Sequence, residues 1–176
     1  MAKRGSNCNM TAMSANTAFQ EITRADLLTD EHAISYGALM LCKGGKAEIQ
    51  INFGHWQLSQ NSFLSFFPND IILWNNVTED FAADTVIYSA EVLRAASMNI
   101  EHEIYRELRA DRICSNDGLI HSVAKSLFSM LRFYYHDPYT PSVDKITAHL
   151  VQAFFIGFAD YMRYNPQSPH TLSGDT

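Results

Sequence analysis

From about Ala33 to Glu91, apolar and polar residues follow the short period of strands. The run Ile34 to Cys42 is largely apolar and fits helix or strand on periodicity alone, but it ends in Lys43-Gly44-Gly45-Lys46. A Gly-Gly pair between two apolar runs is a hairpin signal, because both residues can take positive φ. Ala47, Ile49, Ile51 and Phe53 then alternate with Glu48, Gln50 and Asn52, the clearest strand of the chain. Short strands follow over 55–58, 63–67, 71–74 and 81–88, separated by Gly54, Ser59 to Ser62, Pro68-Asn69-Asp70 and Asn75 to Asp80. Strands recurring at this spacing between turn residues predict a sandwich or barrel.

After Glu91 the period becomes helical. Asn99 is a candidate cap for a helix reaching Ala110, with Ile100, Ile104 and Leu108 on one face. Asp117 is a candidate cap for a second, in which Ile120, Val123, Leu127, Leu131 and Tyr134 recur until Asp137-Pro138 stops it. Thr140-Pro141 opens a third, running to about Tyr164. Two apolar stripes line this last helix, one with Leu150, Phe154 and Tyr161, the other with Val151, Phe155 and Phe158. A helix apolar nearly all round must be covered on more than one side. With only two other helices expected, one stripe is assigned to a partner copy. Leu150, Phe154, Phe155, Phe158 and Tyr161 are the candidate homodimer residues, and Phe155 is taken as outward-facing.

The expected organisation is an unpatterned arm over 1–18, a barrel over 19–91, a helical region over 92–165 and a linker over 166–176. The fold class is α+β, a barrel followed by about three helices. Composition narrows the function. Of 176 residues, 47% are apolar and 18% charged, with a net charge of −6. That argues against disorder, and the scattered Lys and Arg argue against DNA binding by this chain itself. No apolar run is long enough for a membrane span, so no membrane partner is expected. The first residues lack the apolar run of a signal peptide. Cys8, Cys42 and Cys114 form neither a disulfide framework nor a zinc pattern, which suits a reducing cytoplasm.

Catalytic chemistry finds little support. The strand region offers His55 as its one firm histidine, with His32 just before it, and no His-x-His pair occurs. A metal site usually needs several such ligands. His102-Glu103 begins like the zinc-protease helix motif, but Arg106 stands where the second histidine is required. Glu101, Glu103, Arg106, Glu107 and Arg109 read instead as a solvated face. No nucleophile stands near a base in sequence, so neither an enzyme nor a cofactor is expected. The aromatic residues are the richer signal, since a small barrel either fills itself or holds one small ligand. Tyr36, Met40, Phe53, Trp56, Phe66, Trp74 and Tyr88 are candidates for its interior. Of these, Tyr36, Met40, Phe53, Trp56, Trp74 and Tyr88 are the candidate ligand-binding residues, their polar tips able to orient a ligand.

The order of parts resembles the N-terminal, cupin-like sensor and dimerisation domain of AraC-type transcriptional regulators. Three stretches carry the resemblance: Tyr36 to Phe53 (YGALMLCKGGKAEIQINF), Trp56-Gln57-Leu58, and Phe63 to Asp70 (FLSFFPND). It implies a jelly-roll barrel, a small organic ligand, a homodimer and a cytoplasmic regulator. DNA would then be bound by a C-terminal helix-turn-helix domain that this chain lacks, with 172–176 leading towards it. The alternatives are a small cupin-type enzyme and a cyclic-nucleotide-type effector domain. The latter would need an Arg near the end of the barrel, and none stands between Asn61 and Glu91.

Overall fold

The computed structural model describes residues 16–27, 30–98, 100–110, 112–114 and 119–164. In chain order these form β1 (Thr17–Thr23), β2 (His32–Ala33), β3 (Gly37–Gly44), β4 (Lys46–Ile51), β5 (Gly54–Ser59), β6 (Phe63–Phe66), β7 (Ile71–Asn75) and β8 (Ala82–Tyr88). There follow α1 (Ala90–Ser97), α2 (His102–Ala110), β9 (Ile113–Cys114), α3 (Leu119–His136) and α4 (Val143–Tyr164). One sheet has the order β1-β8-β3-β6-β9 and the other β2-β7-β4-β5. Setting aside the two-residue β9, these are the orders of an eight-stranded jelly roll, with antiparallel pairing throughout. The α+β architecture expected from the sequence is the one observed.

Local chemistry explains the turns. Gly45 joins β3 to β4 at φ 71°, and a Cβ there would press into the Phe81 backbone at 2.5 Å. Asn52, Asn61, Asn69 and Asn76 also take positive φ. Asparagine tolerates this region better than other side-chain-bearing residues. Asn52 ends β4 one residue before Phe53, so the alternation expected to carry Phe53 inward stops. Phe53 sits on the β4–β5 hairpin and is 100% exposed.

Two elements depart from expectation. A strand begins at Thr17, inside the stretch read as an arm; residues 1–15 lie outside the described residues. The last strand ends at Tyr88, where the sequence placed its end, but a helix follows inside the stretch assigned to the barrel: Ser89 caps α1, its Oγ accepting the Val92 N–H at 3.4 Å. The described residues therefore hold four helices, not three. The candidate caps Asn99 and Asp117 and the linker at 166–176 lie outside the described residues.

The core has two parts. The interior between the sheets holds Tyr36, Met40, Ile49, Leu64, Phe66, Trp74 and Phe81 among others. The outer face of the first sheet meets the helices along a seam built from Leu39, Phe63, Phe67, Tyr88, Phe128, Phe154 and Phe155.

Candidate functional site

Strand register places the interior residues in rows. Across the first sheet, Gln20 pairs with Thr85, Thr85 with Met40, and Met40 with Leu64. Residues directly opposite in antiparallel strands share a face. Since Met40 and Leu64 belong to the interior, Thr85 and Gln20 face it too. The row on one side is Ala18, Ile87, Ala38 and Phe66; on the other stand Ile22, Ala83 and Cys42. The second sheet contributes Trp56, Ile49 and Trp74 as one row, and Ile51 with Ile72 as another. Trp74 lies between Phe66 and Phe81, with ring centroids 6.4 and 5.9 Å away. Trp56 is half-buried against the same interior.

Tyr36, Met40, Trp56 and Trp74 thus meet in the interior as expected. Phe53 and Tyr88 do not. Tyr88 lies on the other face of β8, within the seam, against Phe155 at 6.1 Å. Gly37 makes room for it, since a Cβ there would fall 2.2 Å from the Tyr88 ring. Burial holds the Tyr88 phenol well above its usual pKa. Parity misled here because β8 is buried on both faces. Cys42 is enclosed in the interior, where burial pushes its thiol up to about 12 and keeps it neutral. Thr85 Oγ1, 1% exposed as a residue, has no hydrogen-bond partner.

The charged side chains of these strands point the other way, and three polar links tie the sheet to the helices. Thr17 Oγ1 donates to Asp144 Oδ1 of α4 at 2.7 Å and lies 2.8 Å from the Tyr135 hydroxyl of α3. Phe19, two residues on, stacks on Tyr135 at 5.6 Å. Asp84 of β8 pairs with Arg132 of α3 and with Lys43 (3.0 Å), which also holds Glu21 of β1. Burial alone would lower the Lys43 pKa; the hydrogen bonds to Glu21 and Asp84 outweigh it and raise it.

The third link centres on Asp70, a fully buried carboxylate in the β6–β7 turn. Arg112 engages both its oxygens, one at 3.0 Å, and Arg109 of α2 lies 3.8 Å away. Asp70 also accepts the Phe67 N–H at 2.8 Å and an Asn52 amide hydrogen at 3.2 Å. Both guanidinium groups cover the Phe67 ring, at 5.3 and 5.4 Å. Arg109, read from sequence as part of a solvated face, therefore turns towards the barrel. His55 is exposed.

The expected dimer residues divide. Phe154 and Phe155 are buried in their own subunit, Phe155 to 2%, packing on Phe63, Phe67 and Tyr88. Phe155 is thus not an outward residue, because α4 is wrapped by the sheet and by α1, α2 and α3. Leu150, Phe158 and Tyr161 are half-buried. Exposed apolar residues lie on α3, at Val123, Met130 and Phe133, and at Tyr164, the last residue of α4. Thr17, Phe19, Asp84 and Thr85 were missed as site residues. The adjacent polar pair Asp84-Thr85 within an otherwise apolar strand was the available signal.

No protein-family model matches the sequence, and no curated relative matches it. Among solved structures, an apo ToxT variant from Vibrio cholerae superposes with a TM-score of 0.50 at 12% identity, over 92% of this chain and 61% of that one. The AraC-like transcriptional activator CuxR gives a TM-score of 0.46 at 12% identity, over 85% and 57%. An RmlC-like cupin from Methanocaldococcus jannaschii gives 0.33 at 11% identity, over 42% and 67%. The ToxT match shows a shared fold. This chain spans about three-fifths of the ToxT chain it matches.

Proposed function

We propose that this chain is the ligand-sensing and dimerisation part of an AraC-type transcriptional regulator, acting in the cytoplasm without catalysis. DNA recognition belongs to a helix-turn-helix domain outside it. The observation that carries the reading is the double role of β1. Its inward residues Ala18, Gln20 and Ile22 line or flank the barrel interior. Its outward residues Thr17, Phe19 and Glu21 engage Asp144, Tyr135, Phe128 and the Lys43–Asp84–Arg132 network. A ligand that shifts β1 therefore shifts α3 and α4, by as much as its affinity differs between the two states.

A thermal-shift screen of sugars, carboxylates and neutral aromatic metabolites tests the sensor. A compound that raises the melting temperature of the wild type, and whose effect on helix mobility is lost in Thr17→Val, supports it. Absence of any stabilising compound contradicts it. Pairing with a second copy uses the exposed Val123, Met130 and Phe133 of α3, spaced to share one helix face. Phe133→Glu should convert a dimer to a monomer in sedimentation; a monomeric wild type overturns the pairing.

A further inference from the structure

We propose that the barrel takes an uncharged, mainly apolar ring compound bearing one hydrogen-bonding group, and that the Thr85 hydroxyl binds that group. The inference rests on the sensor reading above and narrows it to a ligand class.

The first ground is Thr85 itself. Its Oγ1 is buried without a partner, on the inward row between Gln20 and Met40. An unmet buried hydroxyl loses its hydration without compensation, so such groups are rare and call for a cause. Thr147 Oγ1 and His121 Nδ1 are also unpartnered, but they lie on α4 and α3. A helical threonine has the carbonyls of its preceding turn within a small rotation. Thr85 sits instead in a strand, on a face otherwise apolar. Gln20, the polar residue directly opposite in register, already has an interaction partner. A hydroxyl both donates and accepts, so a phenol, a pyrrole-type N–H or a carbonyl would satisfy it.

The second ground is charge. The strands that wall the interior send their ionic groups outward, where Glu21, Lys43, Asp84 and Arg132 pair with one another. Asp70 is taken up by Arg112. Among the described residues, the inward positions of β1, β3, β4, β5, β6, β7 and β8 given by the strand register carry no Lys, Arg, Asp or Glu. A carboxylate or ammonium ligand would lose its hydration there without gaining a counter-ion. A sugar would bury several hydroxyls against few partners.

The third ground is shape. Thr85 is flanked on its own strand face by Ala83 and Ile87, and the neighbouring row holds Ala18, Ala38 and Phe66. The opposing sheet offers the Trp74 ring, which meets Phe66 of the first sheet and lies beside Phe81. An interior that mixes short aliphatic side chains with aromatic rings suits a flat apolar ring.

The test uses four probes on the whole chain: p-cresol, its isostere p-xylene without the hydroxyl, the anion p-toluate, and L-arabinose. Trp56 and Trp74 are the only two tryptophans, and both stand on the barrel wall, so their fluorescence reports the interior. p-Cresol should bind about tenfold more tightly than p-xylene, the ratio one satisfied hydroxyl gives, with no response to p-toluate or arabinose. Thr85→Val should erase the preference for p-cresol while keeping p-xylene affinity, and should raise the melting temperature of the free protein. Thr85→Ser should retain the preference, which separates loss of the hydroxyl from damage to the fold. Equal binding of p-cresol and p-xylene, or a preference that survives in Thr85→Val, overturns the role of Thr85. Tighter binding of p-toluate or arabinose overturns the ligand class and leaves the sensor reading standing. Failure of all four, with no hit in the broader thermal-shift screen, overturns both.

Discussion

The interior of the barrel and the seam between barrel and helices are both apolar cores, yet they are held in different ways. The seam combines tightly arranged rings with polar links whose geometry is directional: the ion pairs of Asp70 with Arg112 and of Asp84 with Lys43 and Arg132, and the hydrogen bond of Thr17 to Asp144. The interior has aliphatic side chains, the aromatic rings of Tyr36, Trp56, Phe66, Trp74 and Phe81, no Lys, Arg, Asp or Glu at the inward positions of β1 and β3 to β8 among the described residues, and the orphaned Thr85 hydroxyl. Apolar burial is non-directional, so an interior of this kind can exchange part of its own packing for a ligand. Buried ionic links cannot be loosened without leaving a charge unpaired. A sensor needs both properties, one region that yields and one that transmits the displacement.

The sharpest way to break the contrast is Arg112→Met. It keeps an apolar stem over Phe67 but strands the fully buried Asp70 carboxylate. Loss of one partner of a buried pair costs about 3–5 kcal/mol, to be read from the urea midpoint. A loss below about 1 kcal/mol would show that Asp70 has another way to be satisfied. Phe155→Ala should follow at about 3 kcal/mol, since it empties a site ringed by Phe67, Tyr88 and Phe154. A charge at position 155 should unfold the chain, and a folded monomer from Phe155→Glu would contradict the packing described.

These residues also show what the sequence could and could not convey. Strands β4, β5 and β7 were legible because one face of each meets the interior and the other is partly exposed, so polarity tracks parity. In β1 and β8 both faces are covered, one by the barrel and one by helices. Asp84 is buried on the helix side and Phe19 packs there too, so alternation says nothing about which side is inside. That is why Thr17 and Ala18 were read as the end of an arm and Tyr88 as an interior residue. Phe53 failed for a different reason: the left-handed Asn52 turns the chain one residue before the pattern ends. On α4 the adjacent Phe154 and Phe155 were read as belonging to different surfaces, but neighbours on several sides bury both. The ionic links escaped notice because Asp70 and Arg112 are 42 residues apart.

Alkaline pH should separate the regions again. The Cys42 thiol rises from 9.0 to about 12 on folding because it is buried in the interior. The folded chain therefore holds that proton through a window in which the unfolded chain has released it. Its contribution is complete below pH 9.0 and is lost as pH rises towards about 12. Tyr88 and Tyr105, also raised by burial, add to the loss from the seam above their usual value. Cys42→Ala should flatten the first part of the decline in a series of urea midpoints; an unchanged profile would assign the decline to the tyrosines alone.

Thr17→Val should have the smallest effect on stability, about 1 kcal/mol for its hydrogen bonds. Its larger consequence should be local. Amides of β1 should exchange faster with solvent, while those of β4 and β5 in the other sheet keep their protection. Equal exchange in both sheets would mean that Thr17 does not anchor β1.

Hydrogen–deuterium exchange with and without a saturating barrel ligand, taken from the thermal-shift screen, tests the coupling most directly. Protection should rise in the barrel strands and also in β1, in α3 around Tyr135 and in the first turns of α4 around Asp144. In Thr17→Val the barrel strands should respond as before and the helices should not. Protection confined to the barrel in the wild type would contradict the coupling and leave β1 as a passive edge strand.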